Sequence, residues 1–269
     1  MNKLCELEDF QQPAIIESIR QLEADHVIHI PDYPAGREHR KSWEYAQLMC
    51  GAEQLGVLGP DAFVLAVAAG HERPVFALTQ KARLVFATDI YGSGDFSSGE
   101  AAGNVLINPD KFATIPYNRN RLVVQYMDAC DIRHEAGTFD LVFSLSSIEH
   151  FGAVTGAYLA LCEMARVCKS GGIVMITTEC IVNDLRRPEI GGLHLFSEQE
   201  LVDLVHSIKD LEPVEPVSFE LSAATKSHVQ NLEQVVADVH LRQHVDYPHI
   251  VLEIGNCFFT SVSIFLRKR

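Results

Sequence analysis

The chain is poor in positive charge. Its 22 Lys and Arg face 36 Asp and Glu, a formal net charge of −14 at pH 7. Such a chain repels phosphate backbones, which disfavours DNA or RNA as a substrate. The basic clusters are short: Arg37 to Lys41, Arg186-Arg187, and Arg267 to Arg269. Long apolar runs are missing as well. No stretch reaches the ~18 apolar residues that read as a membrane span. The N-terminal MNKLCELEDFQQ has no apolar core after its first basic residue, so it does not read as a signal peptide. The seven cysteines are scattered, odd in number and without a CxxC pair; most lie in apolar runs, where Cys acts as a small hydrophobe. A reducing, cytoplasmic setting is expected. No Gly-x-Gly-x-x-Gly turn occurs, which argues against a nicotinamide-dependent oxidoreductase.

What is present suffices for a sizeable core, with 47% hydrophobic residues over 269 positions. Residues 1–60 read as a helical, polar extension. Gln12 to Ala24 carries Ile15, Ile16, Ile19 and Leu22 at helical spacing. Ile30-Pro31-Asp32-Tyr33-Pro34 is a break, and Arg37 to Gly56 reads as a second helix with Trp43, Tyr45, Leu48 and Met49 on its apolar side. Packing against a sheet edge explains Trp43, the only tryptophan; a cap over a ligand site is the functional reading of the segment.

Residues 61–269 read as an α/β domain organised around Phe63 to Tyr91, FVLAVAAGHERPVFALTQKARLVFATDIY. An apolar strand ends at Ala69-Gly70, a short helix follows from Arg73 to Ala82, and a second strand runs from Leu84 to Thr88 with Asp89 at its end. This is a βαβ unit of the nucleotide-binding kind. Small residues at the first turn let a ligand approach the backbone, and a carboxylate about 20 residues on can accept both ribose hydroxyls. Tyr91 to Tyr117 is a long loop rich in Gly, Ser, Asn and Pro; a loop of that length is functional or mobile. Leu122 to Met127 is the third strand, followed by Asp128-Ala129, with Asp131 a competitor for any role of Asp128. Thr138-Phe139-Asp140 leads into a fourth strand at Leu141 to Leu145, which ends before Glu149-His150-Phe151. Ala153 to Cys168 is a helix with Gly171-Gly172 as its expected C-cap, and Ile173 to Thr177 is the fifth strand. Ser197 with Glu200 forms a capping box. Val214 to Leu221 and His249 to Leu266 are expected antiparallel strands, with an inserted helix from Gln230 to Val245.

Three turns in this order and spacing resemble the class I, Rossmann-like S-adenosylmethionine-dependent methyltransferases. The resemblance covers Asp61 to about Arg269 and is strongest from Phe63 to Ile176. That family usually carries an acidic residue and then Gly-x-Gly-x-Gly after its first strand. Here Ala66, Ala68, Gly70 and Glu72 hold those places, so the glycine motif is degenerate. The resemblance implies a seven-stranded, mostly parallel sheet flanked by helices, with an antiparallel C-terminal strand. It implies S-adenosyl-L-methionine as cofactor, held by Ala68, Ala69, Gly70, His71 and Glu72 at the first turn. Asp89 and Ile90 would serve at the second, Asp128 and Ala129 at the third, and Ser144 at the fourth strand.

The expected chemistry is methyl transfer to a small-molecule or carrier-bound acceptor, most readily at a hydroxyl oxygen, on a glycan, lipid or secondary metabolite. Positioning supplies much of the rate and a base removes the proton. His150 is the best placed base and His194, on the Glu179 to Leu195 loop, the second. Ser146-Ser147-Ile148-Glu149-His150 also resembles the metal-holding Glu-x-x-Glu-His of some quinone O-methyltransferases, but the first Glu is Ser146, so no metal is expected. His240 and His244, four apart, lack a third ligand. Base-amine methylation is disfavoured by the lack of an Asn/Asp-Pro-Pro-Tyr-type motif. A homodimer is compatible with the sequence. The alternative is a non-catalytic binding or scaffold protein that keeps the fold after losing the cofactor site.

Overall fold

The computed structural model describes residues 1–183, 187–188, 190–235 and 246–269. Its strands are β1 (Lys3–Leu4), β2 (Phe63–Val67), β3 (Leu84–Asp89), β4 (Leu122–Tyr126), β5 (Phe139–Leu145), β6 (Cys168–Ile181), β7 (Leu211–Pro213), β8 (Val229–Asn231), β9 (Val251–Ile254) and β10 (Cys257–Lys268). Its helices are α1 (Pro13–Leu22), α2 (Ala24–His29), α3 (Arg40–Gln54), α4 (Arg73–Leu78), α5 (Asn104–Ile107), α6 (Ala153–Val167), α7 (Glu198–Ser207) and α8 (Ala223–Lys226). The sheet order is β4-β3-β2-β5-β6-β10-β9-β8, with β1 and β7 also pairing with β10. Strands β4, β3, β2, β5 and β6 are mutually parallel, and β10 is antiparallel to β6. This is the expected Rossmann-like order. Of the ten strands among the described residues, β1, β7 and β8 have only two or three residues; without these three, seven remain.

The alternation of β2 and β5 assigns the two faces. Leu65, Val67 and Val142 pack in one core with Leu161 and Met164 of α6 and Leu201 and Leu204 of α7. Val64, Ala66, Leu141 and Phe143 pack in the other with Leu48, Met49 and Ala52 of α3 and Val75 and Leu78 of α4. Strands covered on both faces read as nearly continuous apolar runs, as these do.

The first 60 residues are built into the sheet. β1 pairs with β10, Trp43 is fully buried, and its indole N–H donates to Asp9 at 2.8 Å. Gly51 lets α3 lie directly on β10: a Cβ there would stand 2.3 Å from the Phe265 ring.

Several boundaries differ from expectation. α6 ends at Val167, and Gly171-Gly172 lies within β6, where the register against β5 shifts between Phe139 and Leu141. The glycines therefore shape a bulge instead of a helix cap; Gly171 has φ +80, and a Cβ on Gly172 would meet the Asp140 carbonyl at 2.9 Å. The strand expected at Val214 to Leu221 is displaced: the preceding Leu211–Pro213 pairs with β10, Val214 N–H adds one bond to the Phe265 carbonyl, and Ser218 bridges to Lys3; Pro213 and Pro216 remove ladder donors. The run from His249 divides into β9 and β10 at Gly255-Asn256, both with positive φ, a turn that matches hairpin twist. The inserted helix expected from Gln230 begins in β8, and residues 236–245, with His240 and His244, lie outside the described residues.

Candidate functional site

β2 and β5 are neighbours whose connections leave in opposite directions, so the topological switch point, where open α/β sheets place a ligand crevice, falls at their carboxyl ends. The turn after β2 keeps the path of a glycine turn despite its side chains. Ala68 has φ +50 and Gly70 φ +48; the left-handed region is uncommon for alanine and costs of order 1 kcal/mol or more. The turn is tied to β3. Ala69 N–H donates to the Thr88 carbonyl at 2.9 Å. Gly70 N–H and Ile90 N–H donate to the two carboxylate oxygens of Asp89 at 2.8 and 2.7 Å. Burial raises the Asp89 pKa and these two amides oppose the rise. A carboxylate has about four acceptor positions, so Asp89 retains capacity for a ligand. At the third turn Asp128 is exposed, and its carboxylate accepts from Cys130 N–H at 2.8 Å. Met127 N–H donates to the Asp89 carbonyl, which aligns the second and third turns. Ala129 is partly buried beside the core, and Asp131 pairs with Arg133 instead.

The carboxyl edge also holds a buried charge network brought by α3. Glu44 is fully buried. It accepts from Ser146 Oγ at 2.8 Å, Thr177 Oγ1 at 3.0 Å and Ser261 Oγ at 2.5 Å. Burial alone would raise its pKa, but Lys41 and Arg40, with the hydroxyls, hold it below the usual carboxylate range. Lys41 Nζ lies 3.1 Å from Glu44, 2.6 Å from Glu72 and 3.2 Å from the Leu145 carbonyl. Arg40 pairs with Glu179 and donates to Ser261. Glu149 is 2% exposed and accepts from Thr178 Oγ1 at 2.8 Å. Burial, then the neighbouring Glu179, push its pKa up to about 8. Buried Glu179 Oε2, Ser144 Oγ and Arg40 Nε have no hydrogen-bond partner among the described residues.

The sequence-predicted bases separate. His150 stands at the crevice with Nδ1 2.7 Å from the Gly192 carbonyl. A carbonyl only accepts, so Nδ1 carries the proton and Nε2 keeps its lone pair in the neutral ring. Burial lowers the His150 pKa, which favours that neutral form. Phe96 of the 91–117 loop meets the ring edge-on at 4.8 Å. His194 instead joins Arg187 and Glu200 at the start of α7. Ser144 is fully buried within β5, on the strand and not on the turn, while Ser147 Oγ donates to the Ala68 carbonyl.

The 91–117 loop lies against the first turn. Tyr91 OH donates to the Gly70 carbonyl at 2.6 Å, and the Glu100 carbonyl oxygen stands 2.9 Å from where a Gly70 Cβ would be. His71 packs on Phe112 of the same loop at 5.0 Å. Among the described residues, no group of three or more His, Cys, Asp or Glu is arranged to hold a metal ion, and no helix is long and apolar enough to cross a membrane. The residues that sequence reasoning missed are Lys41, Glu44 and Glu179, while Glu149 entered only as part of the motif after the fourth strand. The adjacent charges Arg40-Lys41 and Glu44 on a helix with an apolar side were the available signal, but their partners lie more than 100 positions away, or 31 in the case of Glu72.

Comparison with known proteins follows the same geometry. Residues 65–176 match the model of a family described as a methyltransferase domain. Curated proteins give no significant match. Among solved structures, the [4+2]-cyclase SpnF is 16% identical, with TM-score 0.56 over 99% of this chain and 98% of its own. A putative sarcosine dimethylglycine methyltransferase from Galdieria sulphuraria is 16% identical, with TM-score 0.55 over 85% and 84%. Geranyl diphosphate C-methyltransferase from Streptomyces coelicolor A3(2), solved with Mg2+, geranyl diphosphate and S-adenosyl-L-homocysteine, is 13% identical, with TM-score 0.54 over 100% and 90%. The matched central segment, residues 65–176, is thus a methyltransferase domain, set in a Rossmann-like sheet that these solved structures share.

Proposed function

We propose that this protein transfers a methyl group from S-adenosylmethionine to a hydroxyl of a small-molecule or carrier-bound acceptor. The observation that carries the reading is Asp89, a half-buried carboxylate at the end of β3 that the Gly70 and Ile90 amides orient and leave with free acceptor positions. The residues present suit the cofactor. Asp89 would accept from the ribose, and Asp128 with the Ala129 backbone would meet the adenine. The left-handed backbone at Ala68 and Gly70 keeps the close approach that the first turn must offer.

The cofactor, when bound, supplies a methyl group already activated on a sulfonium sulfur. The chain's own part is then alignment, exclusion of water and one proton transfer. His150 Nε2 is the acceptor for the hydroxyl proton, and Gly192 fixes the ring by holding Nδ1–H. Glu149, its pKa raised by burial and by Glu179, lies buried at the same edge and accepts from Thr178. The 91–117 loop, through Phe96 and Tyr91, covers the site. Alignment over this crevice is supported by the solved methyltransferase that holds S-adenosyl-L-homocysteine on a similar fold.

A second reading, a binding protein without transfer, is favoured by one contact: the Glu100 carbonyl occupies the approach that Gly70 leaves open. Calorimetric titration with S-adenosylmethionine separates the two. Micromolar binding with release of the loop from Gly70 supports the enzyme; absence of heat at near-millimolar cofactor supports the binding protein.

A further inference from the structure

We propose that the carboxylate of Glu72, positioned by Lys41, receives the ammonium group of the cofactor's amino-acid tail. The inference rests on the functional reading above and assigns one group within that site. The tail is a zwitterion, and its ammonium needs an acceptor of opposite charge when it leaves water. The end of β2 offers none: Ala66, Val67 and Ala69 are apolar and buried. Glu72 supplies the charge from the far side of the same turn. One of its oxygens is held by Lys41 Nζ at 2.6 Å. The other, Oε2, is buried and has no hydrogen-bond partner among the described residues.

A buried carboxylate oxygen left unpaired is costly and points to a missing donor. Lys41 does not provide it, because its ammonium already serves Glu72, Glu44 and the Leu145 carbonyl. Burial, with Glu44 and Asp89 nearby, raises the Glu72 pKa to about 7 even against Lys41. A cation on the free oxygen relieves both the missing contact and the surplus of negative charge. Lys41 is then a positioning residue: it fixes one oxygen of Glu72 and leaves the other to the ligand.

The test uses binding, not turnover. S-adenosyl-L-homocysteine is titrated into the wild-type protein and Glu72→Gln, alongside the analogue in which hydrogen replaces the ammonium group. The wild type is expected to bind the full ligand ~10–100-fold more tightly than the analogue, the range of a charge-assisted hydrogen bond. Glu72→Gln is expected to bind the two about equally, so the cycle isolates the pairing. Binding of both ligands by the wild type with equal affinity overturns the assignment, and needs no variant to fold. So does a Glu72→Gln protein that keeps the full discrimination. Both results leave the proposed function standing. A wild-type protein that binds neither ligand overturns the assignment together with that function.

Discussion

Two sets of carboxylates meet at the carboxyl edge of the sheet, and they are held in different ways. Asp89 and Asp128 are fixed by backbone amides close to them, at Gly70, Ile90 and Cys130. Glu44 and Glu72 are fixed by side chains that the fold brings from far along the chain: Lys41, Ser146, Thr177 and Ser261. Amides cannot titrate or swing away, so the first set is preorganised and locally determined. The second set is a charge network whose state depends on every member. A carboxylate held by amides binds a neutral polyol without changing protonation. One held by a shared lysine responds to a ligand's charge. The carboxyl edge thus combines a rigid, amide-held side with an adjustable charged side.

The contrast predicts different sensitivities. The largest effect belongs to Glu44→Ala, which leaves Lys41 and Arg40 buried without their shared partner and strips three hydroxyls of an acceptor. It should destabilise the fold by ~3–5 kcal/mol, read from urea unfolding; a loss below 1 kcal/mol would make the network ornamental. Next comes Glu149→Gln. The folded pKa of Glu149, about 8, lies above its ordinary value of 4.5. Its protonated contribution is full below about pH 4.5 and fades as pH rises through 8. Wild-type stability should therefore decline over that window, by on the order of 5 kcal/mol from this group, and Glu149→Gln should flatten the decline. An unchanged pH profile in the variant would remove the assignment. Asp89→Ala should weaken cofactor binding by ~1–3 kcal/mol while changing stability less than Glu44→Ala, measured by calorimetry and by unfolding. Asp128→Asn keeps the turn to Cys130 and should cost cofactor affinity about 1 kcal/mol or less; a larger loss would place Asp128 with the charged set.

The same division decides what was legible in the sequence. The parallel core could be read because β2, β3, β5 and β6 are short apolar runs punctuated by turns, and Asp89 could be read because its spacing from Gly70 is local. The Ala66-to-Glu72 turn resembled a glycine motif in outline, and Ala68 does adopt the positive φ that a glycine would take. Lys41 and Glu44 looked like ordinary helix charges, since Glu44 finds its partners on β6, β10 and the turn after β5. Gly171-Gly172 looked like a helix end because a strand bulge uses the same residue for the same positive φ. Ser144 lies on the fourth strand as expected, but the alternation of β5 turns its side chain into the interior, where it is fully buried. His194 lay on the correct loop, yet Arg187 and Glu200 engage it.

The most direct test of the central claim is a crystal structure with S-adenosyl-L-homocysteine bound. The ribose hydroxyls should lie on Asp89, the adenine beside Asp128 and Ala129, and the 91–103 segment should have withdrawn from Gly70. Ligand bound elsewhere, or a crevice still filled by Glu100 and Tyr91 at saturating ligand, would contradict it.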